Sequence, residues 1–316
     1  MGRTYIDAEL LIPGRGAPVR DGCVVIDGPK IFYAGPRTSA PAAPSDPRVK
    51  VSVVLPGLWD CHAHFLGIKV LAFENYVTLP LPSVAARAAK DVETALQAGF
   101  TSIREAGGHG IHLRQLVEEG TLEGPSIYAP GAILSQTGGH ADVHAMPLDF
   151  MLDYCRHGGP VGLCDGVVEC VKAVRRQLRL GATHIKVCAS GGVLSEVDHP
   201  LHQQFSDDEL RAMVEEAGRA ERIVMAHCHG KAGIMAALRA GCRTIEHGSY
   251  VDEEVAHAMR EASAILVPTR YIIERLLASK GRIPDYAFQK IERLAARHLE
   301  AMEIAHRAGV KIALGT

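Results

Sequence analysis

A chain of 316 residues has room for about two domains of ordinary size, or for one α/β barrel with a small appendage. Hydrophobic residues at 47% and charged residues at 22% match a folded globular protein and exclude disordered or fibrous polymers. The 34 basic and 36 acidic side chains leave a net charge of −2, which removes any electrostatic case for nucleic acid or an anionic membrane surface as a partner.

Residues 4–35 read as short β runs at 5–12, 23–26 and 31–34, separated by Gly and Pro turns. A Pro/Ala/Ser stretch at 36–47 follows, and the predicted division is a β-sandwich-type segment at 1–55 and a main domain at 56–316. In the main domain, β-type runs at 51–58, 101–105, 126–134, 184–189, 223–227, 244–247, 264–268 and 310–314 alternate with helical patterns. The helical patterns cover 83–98, 111–119, 167–180, 207–220, 231–240, 252–262 and 285–308. Ser206 with Glu209 has the spacing of a capping box, and Gly99, Gly120, Gly181, Gly241 and Gly309 stand where helices end. Eight apolar strands alternating with helices predict a parallel (β/α)8 TIM barrel. A doubly wound open sheet is the alternative, but neither a G-x-G-x-x-G after the first strand nor a G-x-x-x-x-G-K-[ST] is present.

Sixteen histidines are the one compositional excess with chemical consequences. Reacting groups of a barrel lie at the C-terminal ends of its strands. The first run ends in Asp60-Cys61-His62-Ala63-His64, the fourth holds Lys186, the fifth ends at His227-Cys228-His229 and the sixth at His247. In an extended chain residues i and i+2 point the same way, so His62 and His64 can offer two imidazoles to one point. Alone, such a pair is as well explained by a solvated surface. Four histidines converging from three strands are better explained by metal than by packing.

Lys186 sits between Ile185 and Val187 in an apolar strand, where an unpaired ammonium is expensive. An ion pair or a stem reaching the rim would relieve it. A carbamate made from the neutral amine and CO2 would also suit it, since its two oxygens can bridge two ions. Asp60 shares parity with His62 and is expected to orient a ligand, while Glu105 reads as a substrate contact or a support for the ligands, or equally as a rim ion pair. His229 stands between a substrate contact and a plain loop residue. His109, His144, His199 and His202 lie in loops at the same end, and His157, His257, His298 and His306 read as solvated or packed. Cys61, Cys188 and Cys228 flank the ligands and are read as turned away. Eight cysteines without a C-x-x-C pair, no leader pattern and no run of about 18 apolar residues point to a cytoplasmic protein with reduced thiols.

These motifs, written out as Leu55-Pro56-Gly57-Leu58-Trp59-Asp60-Cys61-His62-Ala63-His64, His184-Ile185-Lys186-Val187, Ala226-His227-Cys228-His229-Gly230, Ile245-Glu246-His247-Gly248 and Ala313-Leu314-Gly315-Thr316, resemble the amidohydrolase superfamily from Thr4 onward. Gln136-Thr137-Gly138-Gly139-His140-Ala141-Asp142 and Tyr250 resemble the branch of imidazolonepropionase-like hydrolases and Xaa-Pro or Xaa-Arg/Lys dipeptidases. The resemblance implies a binuclear centre of two divalent ions, Zn2+ in the usual case. His62 and His64 would hold one ion, His227 and His247 the other, with N6-carboxylysine at Lys186 and a hydroxide bridging them. It further implies that His140 polarises the scissile carbonyl or holds its oxyanion, and that Tyr250 and Arg104 bind a substrate carboxylate.

The superfamily pattern after strand eight is Gly-Thr-Asp, whereas this sequence reads to Gly315-Thr316. The favoured reading is therefore a barrel truncated at the end of strand eight, without its last helix. A metal-binding protein without turnover is the alternative. The expected function is hydrolysis of an amide or peptide C–N bond in a small carboxylate-bearing substrate, either a dipeptide or an N-acyl amino acid, aromatic amide conjugates included. Cyclic amide or imidazolone hydrolysis is the runner-up, and a decarboxylase or isomerase of the same superfamily a further one. Small-molecule substrates and further copies of the chain in a homo-oligomer are the expected partners, and loops 106–113 and 135–166 the expected walls of the pocket.

Overall fold

The structure is a computed structural model that describes residues 2–42, 45–69 and 74–316. It divides into two units, Met1–Leu58 and Trp59–Thr316. The first holds strands β1 (Thr4–Leu11), β2 (Val19–Asp27), β3 (Lys30–Pro36) and β4 (Arg48–Val54) in one sheet of order β3-β2-β1-β4. Strand β1 runs antiparallel to β2 and parallel to β4. Tyr5, Cys23 and Val25 are buried on this sheet, and the Arg48 guanidinium grips both oxygens of Asp7 at 3.0 and 2.9 Å while lying over the Tyr5 ring. The run at 51–58, expected as the first barrel strand, is split: its first half, 51–54, lies in β4 and pairs with β1, and residue 58 begins β5.

The second unit carries the barrel. Its strands are β5 (Leu58–Ala63), β6 (Phe100–Glu105), β7 (Ser126–Tyr128), β8 (Ile133–Ser135), β9 (Val161–Leu163), β10 (Ile185–Cys188), β11 (Val224–Cys228), β12 (Thr244–His247), β13 (Ile265–Val267) and β14 (Lys311–Ile312). Its helices are α1 (Asn75–Thr78), α2 (Leu81–Gln97), α3 (Gly110–Glu118), α4 (Leu148–Arg156), α5 (Gly166–Arg179), α6 (Asp207–Arg219), α7 (Lys231–Ala240), α8 (Glu253–Glu261), α9 (Arg270–Leu277) and α10 (Asp285–Arg307). Sheet order runs β5-β6-β7 and then β9-β8-β10-β11-β12-β13-β14. The ring is closed where the Cys61 N–H donates to the Leu314 carbonyl at 2.8 Å, so the last strand meets the first. The predicted (β/α)8 barrel with an N-terminal β segment is the fold.

The predicted third strand at 126–134 is a bent strand. Pro130 has no N–H for the ladder, and Gly131 turns at φ +79°, a region that costs other residues strain. A Cβ on Gly131 would also meet Gln177 Oε1 at 2.4 Å. That buried oxygen accepts from the Ala132 N–H at 3.0 Å, so a side chain of α5 replaces the lost ladder partner. Past the bend, β8 pairs with β10 on one edge and β9 on the other.

Strands β10 and β11 are buried at every residue, as befits parallel strands covered on both faces. Helices α5, α6 and α7 bury Val174, Leu210, Met213 and Ile234 against that sheet in one continuous core. Helices α1, α4 and α9 escape sequence reading: α9 reads Arg-Tyr-Ile-Ile-Glu-Arg-Leu-Leu, whose aromatic and β-branched start argues for a strand. Among the described residues no helix is long and apolar enough to cross a membrane. The capping box forms as expected, with Ser206 Oγ accepting from Glu209 N and the Glu209 carboxylate accepting from Ser206 N. Replacing Ser206 with Ala should therefore cost about 1 kcal/mol, read as a lower urea midpoint with an unchanged slope.

Candidate metal centre

Alternation along each strand aims His62, Lys186, His227 and His247 into the barrel mouth, and loop residues His64, His140 and His229 join them. Together they line one cavity of about 380 Å³, a size typical of small-molecule sites at roughly 300–1,000 Å³. The rings stand close: His62 to His64 5.2 Å, His62 to His247 4.9 Å, His227 to His247 4.7 Å, and His140 stacked on His227 at 4.2 Å. The ligand-capable atoms of His227, His229 and His247 all lie within 4.8 Å of one another.

Each ring is tied from outside through one nitrogen. His64 Nδ1 donates to the Gly107 carbonyl at 2.7 Å, and His62 Nδ1 meets the Glu246 carboxylate at 2.7 Å. His227 donates through Nε2 to the Gly191 carbonyl at 3.1 Å. His247 Nδ1 meets Thr269 Oγ1 at 2.6 Å; that hydroxyl donates onward to the Pro268 carbonyl, so it accepts from the ring. Carbonyls and carboxylates only accept, so these bonds place the ring protons outward. The lone pairs fall on Nε2 of His62, His64 and His247 and on Nδ1 of His227. His229 Nδ1 bonds Ser249 Oγ at 2.8 Å.

Burial then keeps the rings neutral. It drives His62, His227, His229 and His247 far below the ordinary imidazole value and holds His64 and His140 at about 4, with the Lys186 charge and neighbouring rings adding to the effect. Burial likewise pulls the Lys186 amine, 2% exposed, below the usual lysine range. Neutral imidazoles with anchored outer nitrogens are the donor set that suits a borderline dication such as zinc.

Glu246 is the residue that sequence reasoning missed. It is 0% exposed, and besides His62 it accepts from Arg104 Nη2 at 2.8 Å and from Thr244 Oγ1. A carboxylate inside an apolar strand, one residue before His247, was the signal. Arg104, expected on a substrate carboxylate, also donates to the Cys61 carbonyl and Thr244 Oγ1 and does not line the cavity. Tyr250 lines a separate hollow with His199, Tyr286 and Lys290, not the histidine cavity.

Asp60 binds the His62 N–H at 2.9 Å and, through the Thr316 N–H and hydroxyl, the end of the chain, so it holds the ligand segment against strand eight. Glu105 does not line the cavity and forms no rim ion pair; of its expected roles, the one it fits is support behind the histidines, next to the His64 segment. It is fully buried and accepts from the Phe65 and Gly110 N–H groups, with its carboxyl pushed up to about 8 by burial. Cys188 lines the cavity, against expectation, because it lies two residues from Lys186 and shares its face. His184, never assigned, bridges strands through the Glu105 carbonyl at 2.9 Å. His109, His144, His199 and His202 do not line the cavity; His157, His257 and His306 are exposed and His298 is packed.

The apolar wall was also missed: Val193, Leu194, Ile272, Ile273, Leu276 and Ile291 face the histidines. Its signal was the Tyr271-Ile272-Ile273 run just past strand seven. Loops 106–113 and 135–166 act mainly behind the cavity, where the first supplies the Gly107 carbonyl and the second carries His140.

A closed barrel whose strand ends gather neutral imidazoles and one buried lysine defines a hydrolase scaffold. The chain belongs to the amidohydrolase family, which it matches over residues 53–316, and so is a hydrolase acting on amide bonds. It is 45% identical over 330 residues to ochratoxinase of Aspergillus niger, covering 99% of this chain and 68% of that protein. The crystal structure of A. niger ochratoxinase superposes with TM-score 0.93 at 43% identity, over 100% of this chain and 76% of that one. A prolidase complexed with N-methylphosphonate-L-proline gives TM-score 0.91 at 36% identity, over 99% and 78%. A Xaa-Pro dipeptidase with methionine bound in its active site gives 0.89 at 30%, over 99% and 79%.

Two predictions follow from the buried groups. In chelator-treated protein, the histidines held near 4 stay unprotonated while the unfolded chain takes up protons below its ordinary 6.5. The unfolded state then binds more protons, so stability falls as pH drops from 6.5 toward 4; melting scans across that window should show a falling midpoint. Glu246→Ala leaves the Arg104 charge buried without its partner and should cost on the order of 3–5 kcal/mol. It should also weaken metal affinity by roughly 10- to 100-fold, measured by competitive titration.

Proposed function

We propose that this chain is a metal-dependent amidohydrolase that cleaves the amide or peptide C–N bond of a small substrate, a dipeptide or an N-acyl amino acid, aromatic amide conjugates included. The observation that carries this reading is the cluster of imidazoles, His62 and His227 buried outright, whose outward nitrogens are all tied, leaving their lone pairs to a single cavity. His62 and His64 would hold one divalent ion and His227 and His247 a second, with Lys186 between them as N6-carboxylysine. His229 stands close enough to His227 and His247 to share in that second set. Zinc is the ion that this nitrogen-rich set favours. Bound ions supply Lewis acidity, which activates water near neutral pH and polarises a carbonyl.

The chain's own residues do the rest. Glu246 and the Gly107 carbonyl hold His62 and His64 in one tautomer and one orientation. Burial lowers the Lys186 pKa and so eases loss of its proton to give the neutral amine, the form able to take up CO2. The wall of Val193, Leu194, Ile272, Ile273, Leu276 and Ile291 excludes water on one side and offers an apolar seat to a bulky side chain or aromatic acyl group. The relatives support a carboxylate-bearing leaving group, since one holds a proline phosphonate and another methionine. Of the residues expected to meet such a carboxylate, Arg104 bonds Glu246, and Tyr250 packs against the cluster of Val193, Ile273 and Leu276 that walls the cavity.

Chelation should abolish turnover of N-acyl amino acids and dipeptides, and added zinc should restore it. Double replacement of His62 and His64 by Ala should remove both turnover and about half of the bound metal, measured by elemental analysis. Purified protein without stoichiometric transition metal, or full turnover in that double variant, would falsify the reading.

A further inference from the structure

Glu105 is a carboxyl in a place where a carboxyl is expensive. It closes strand β6 with no exposed surface, and only one of its oxygens is used. Oε1 accepts from the Phe65 N–H at 3.2 Å and the Gly110 N–H at 2.9 Å, whereas Oε2 is buried and finds no hydrogen-bond partner among the described residues. A buried polar atom left in this way opposes folding, so the group is kept for what its other oxygen does. The backbone also reserves room for it. A Cβ on Gly108 would meet Oε1 at 2.4 Å and one on Gly110 would meet Oε2 at 2.6 Å, so glycine at both positions lets the chain close around the carboxyl.

That oxygen joins the segment leaving β5 to the loop leaving β6. The two lie side by side: the Ala106 N–H donates to the Ala63 carbonyl at 2.7 Å and the His109 N–H to the Phe65 carbonyl at 3.0 Å. Between these bonds His64 Nδ1 donates to the Gly107 carbonyl at 2.7 Å. The Phe65 N–H is met by the Glu105 side chain instead of a carbonyl. Beyond β6 the loop turns through φ +115° at Gly107 and +151° at Gly108, a path that glycine adopts most readily. Glu105 Oε1 fastens the far end of that turn at Gly110. One buried atom therefore holds both the residue next to His64 and the loop that carries the acceptor of its ring.

We propose that Glu105 is a positioning residue for His64: by tying Phe65 and Gly110 to one oxygen it sets the His64 ring against the Gly107 carbonyl, and with it the direction in which the ring faces a divalent ion. Glu105 does not line the cavity and acts only through the segments it holds. This role rests on the reading of His64 as a metal ligand given above. A carboxyl that served the fold alone would lower stability everywhere and leave the affinity of the folded site as it was.

The test is competitive zinc titration, below the melting temperature of each protein, on Glu105→Ala and Gly110→Ala, alone and combined with His64→Ala or His247→Ala. Gly110→Ala keeps the carboxyl but displaces it. Because Gly110 opens α3 without a positive φ, alanine there also restricts the unfolded chain, so this variant decides the matter even if Glu105→Ala does not fold. Each single variant should weaken zinc binding by roughly 10- to 100-fold, the range for groups that orient ligands. Glu105→Gln, which carries an acceptor oxygen at the same reach, should recover most of that loss. The effect should vanish in the His64→Ala background, where no ring is left to aim, and persist in His247→Ala. Unchanged affinity in the folded variants, or a loss of equal size with and without His64, overturns the proposal alone. A wild type that binds no zinc, or His64→Ala that binds it as tightly as wild type, overturns the metal reading and the role of Glu105 with it.

Discussion

Burying an imidazole is tolerable only if it stays neutral and its N–H finds an acceptor, and this barrel mouth gathers six of them side by side, with His62, His227 and His229 buried outright. The structure meets the requirement from outside the cluster. Gly107, Gly191, Thr269, Glu246, Ser249 and Ser195 each take one nitrogen. For His62, His64, His227 and His247 this dictates which nitrogen carries the lone pair, and the remaining lone pairs converge. An arrangement able to take a metal ion is therefore a consequence of solving a hydrogen-bonding problem, and the outer acceptors matter as much as the rings.

The same economy governs the charges beneath. Arg104 and Glu246 neutralise each other at the base of the site, and Glu246 simultaneously orients His62, so one buried carboxylate links the second, sixth and first strands. A buried ion pair of this kind adds little net stability, but removing one member leaves the other stranded. Asp60 plays the parallel part at the seam, where its carboxylate joins the His62 segment to Thr316. His247 sits at φ +69° and Thr269 at φ +51°, both in the left-handed region, and their side chains are bonded to one another. Backbone strain is thus stored at the ends of strands six and seven, as it is at four other non-glycine positions, and here surrounding contacts over-determine it.

On the opposite side of the cavity, α9 and α10 convert an open barrel mouth into a pocket. Helix α9 supplies apolar side chains, while α10 holds the 191–198 segment through Lys290 and Tyr286. One half of the cavity is thereby a polar set of ligand-capable rings and the other a dry wall. That division suits a reaction in which a polar bond is broken beside an apolar substituent.

Much of this was legible in the residues. Parallel strands buried on both faces must be apolar runs, so barrel strands announced themselves, and His62, His64, Lys186, His227 and His247 stood out because polar groups have no other business in them. The caps at Ser206 and the helix-ending glycines are local chemistry and needed no fold to be read. What the chain alone did not reveal depends on partners distant in sequence. The bond from Arg104 to Glu246 was not legible because the two lie on strands far apart along the chain, and adjacency to His247 did not say that Tyr250 packs beside the apolar wall. Strand parity was legible but misread for Cys188. The bend in strand three rests on Gln177 from another element, and α9 looks like a strand until a barrel wall gives its apolar side something to cover. Composition and periodicity determined the barrel and its ring of ligands; only tertiary contact decided which nitrogen of each ring faces inward, because a tautomer is chosen by the acceptor it meets.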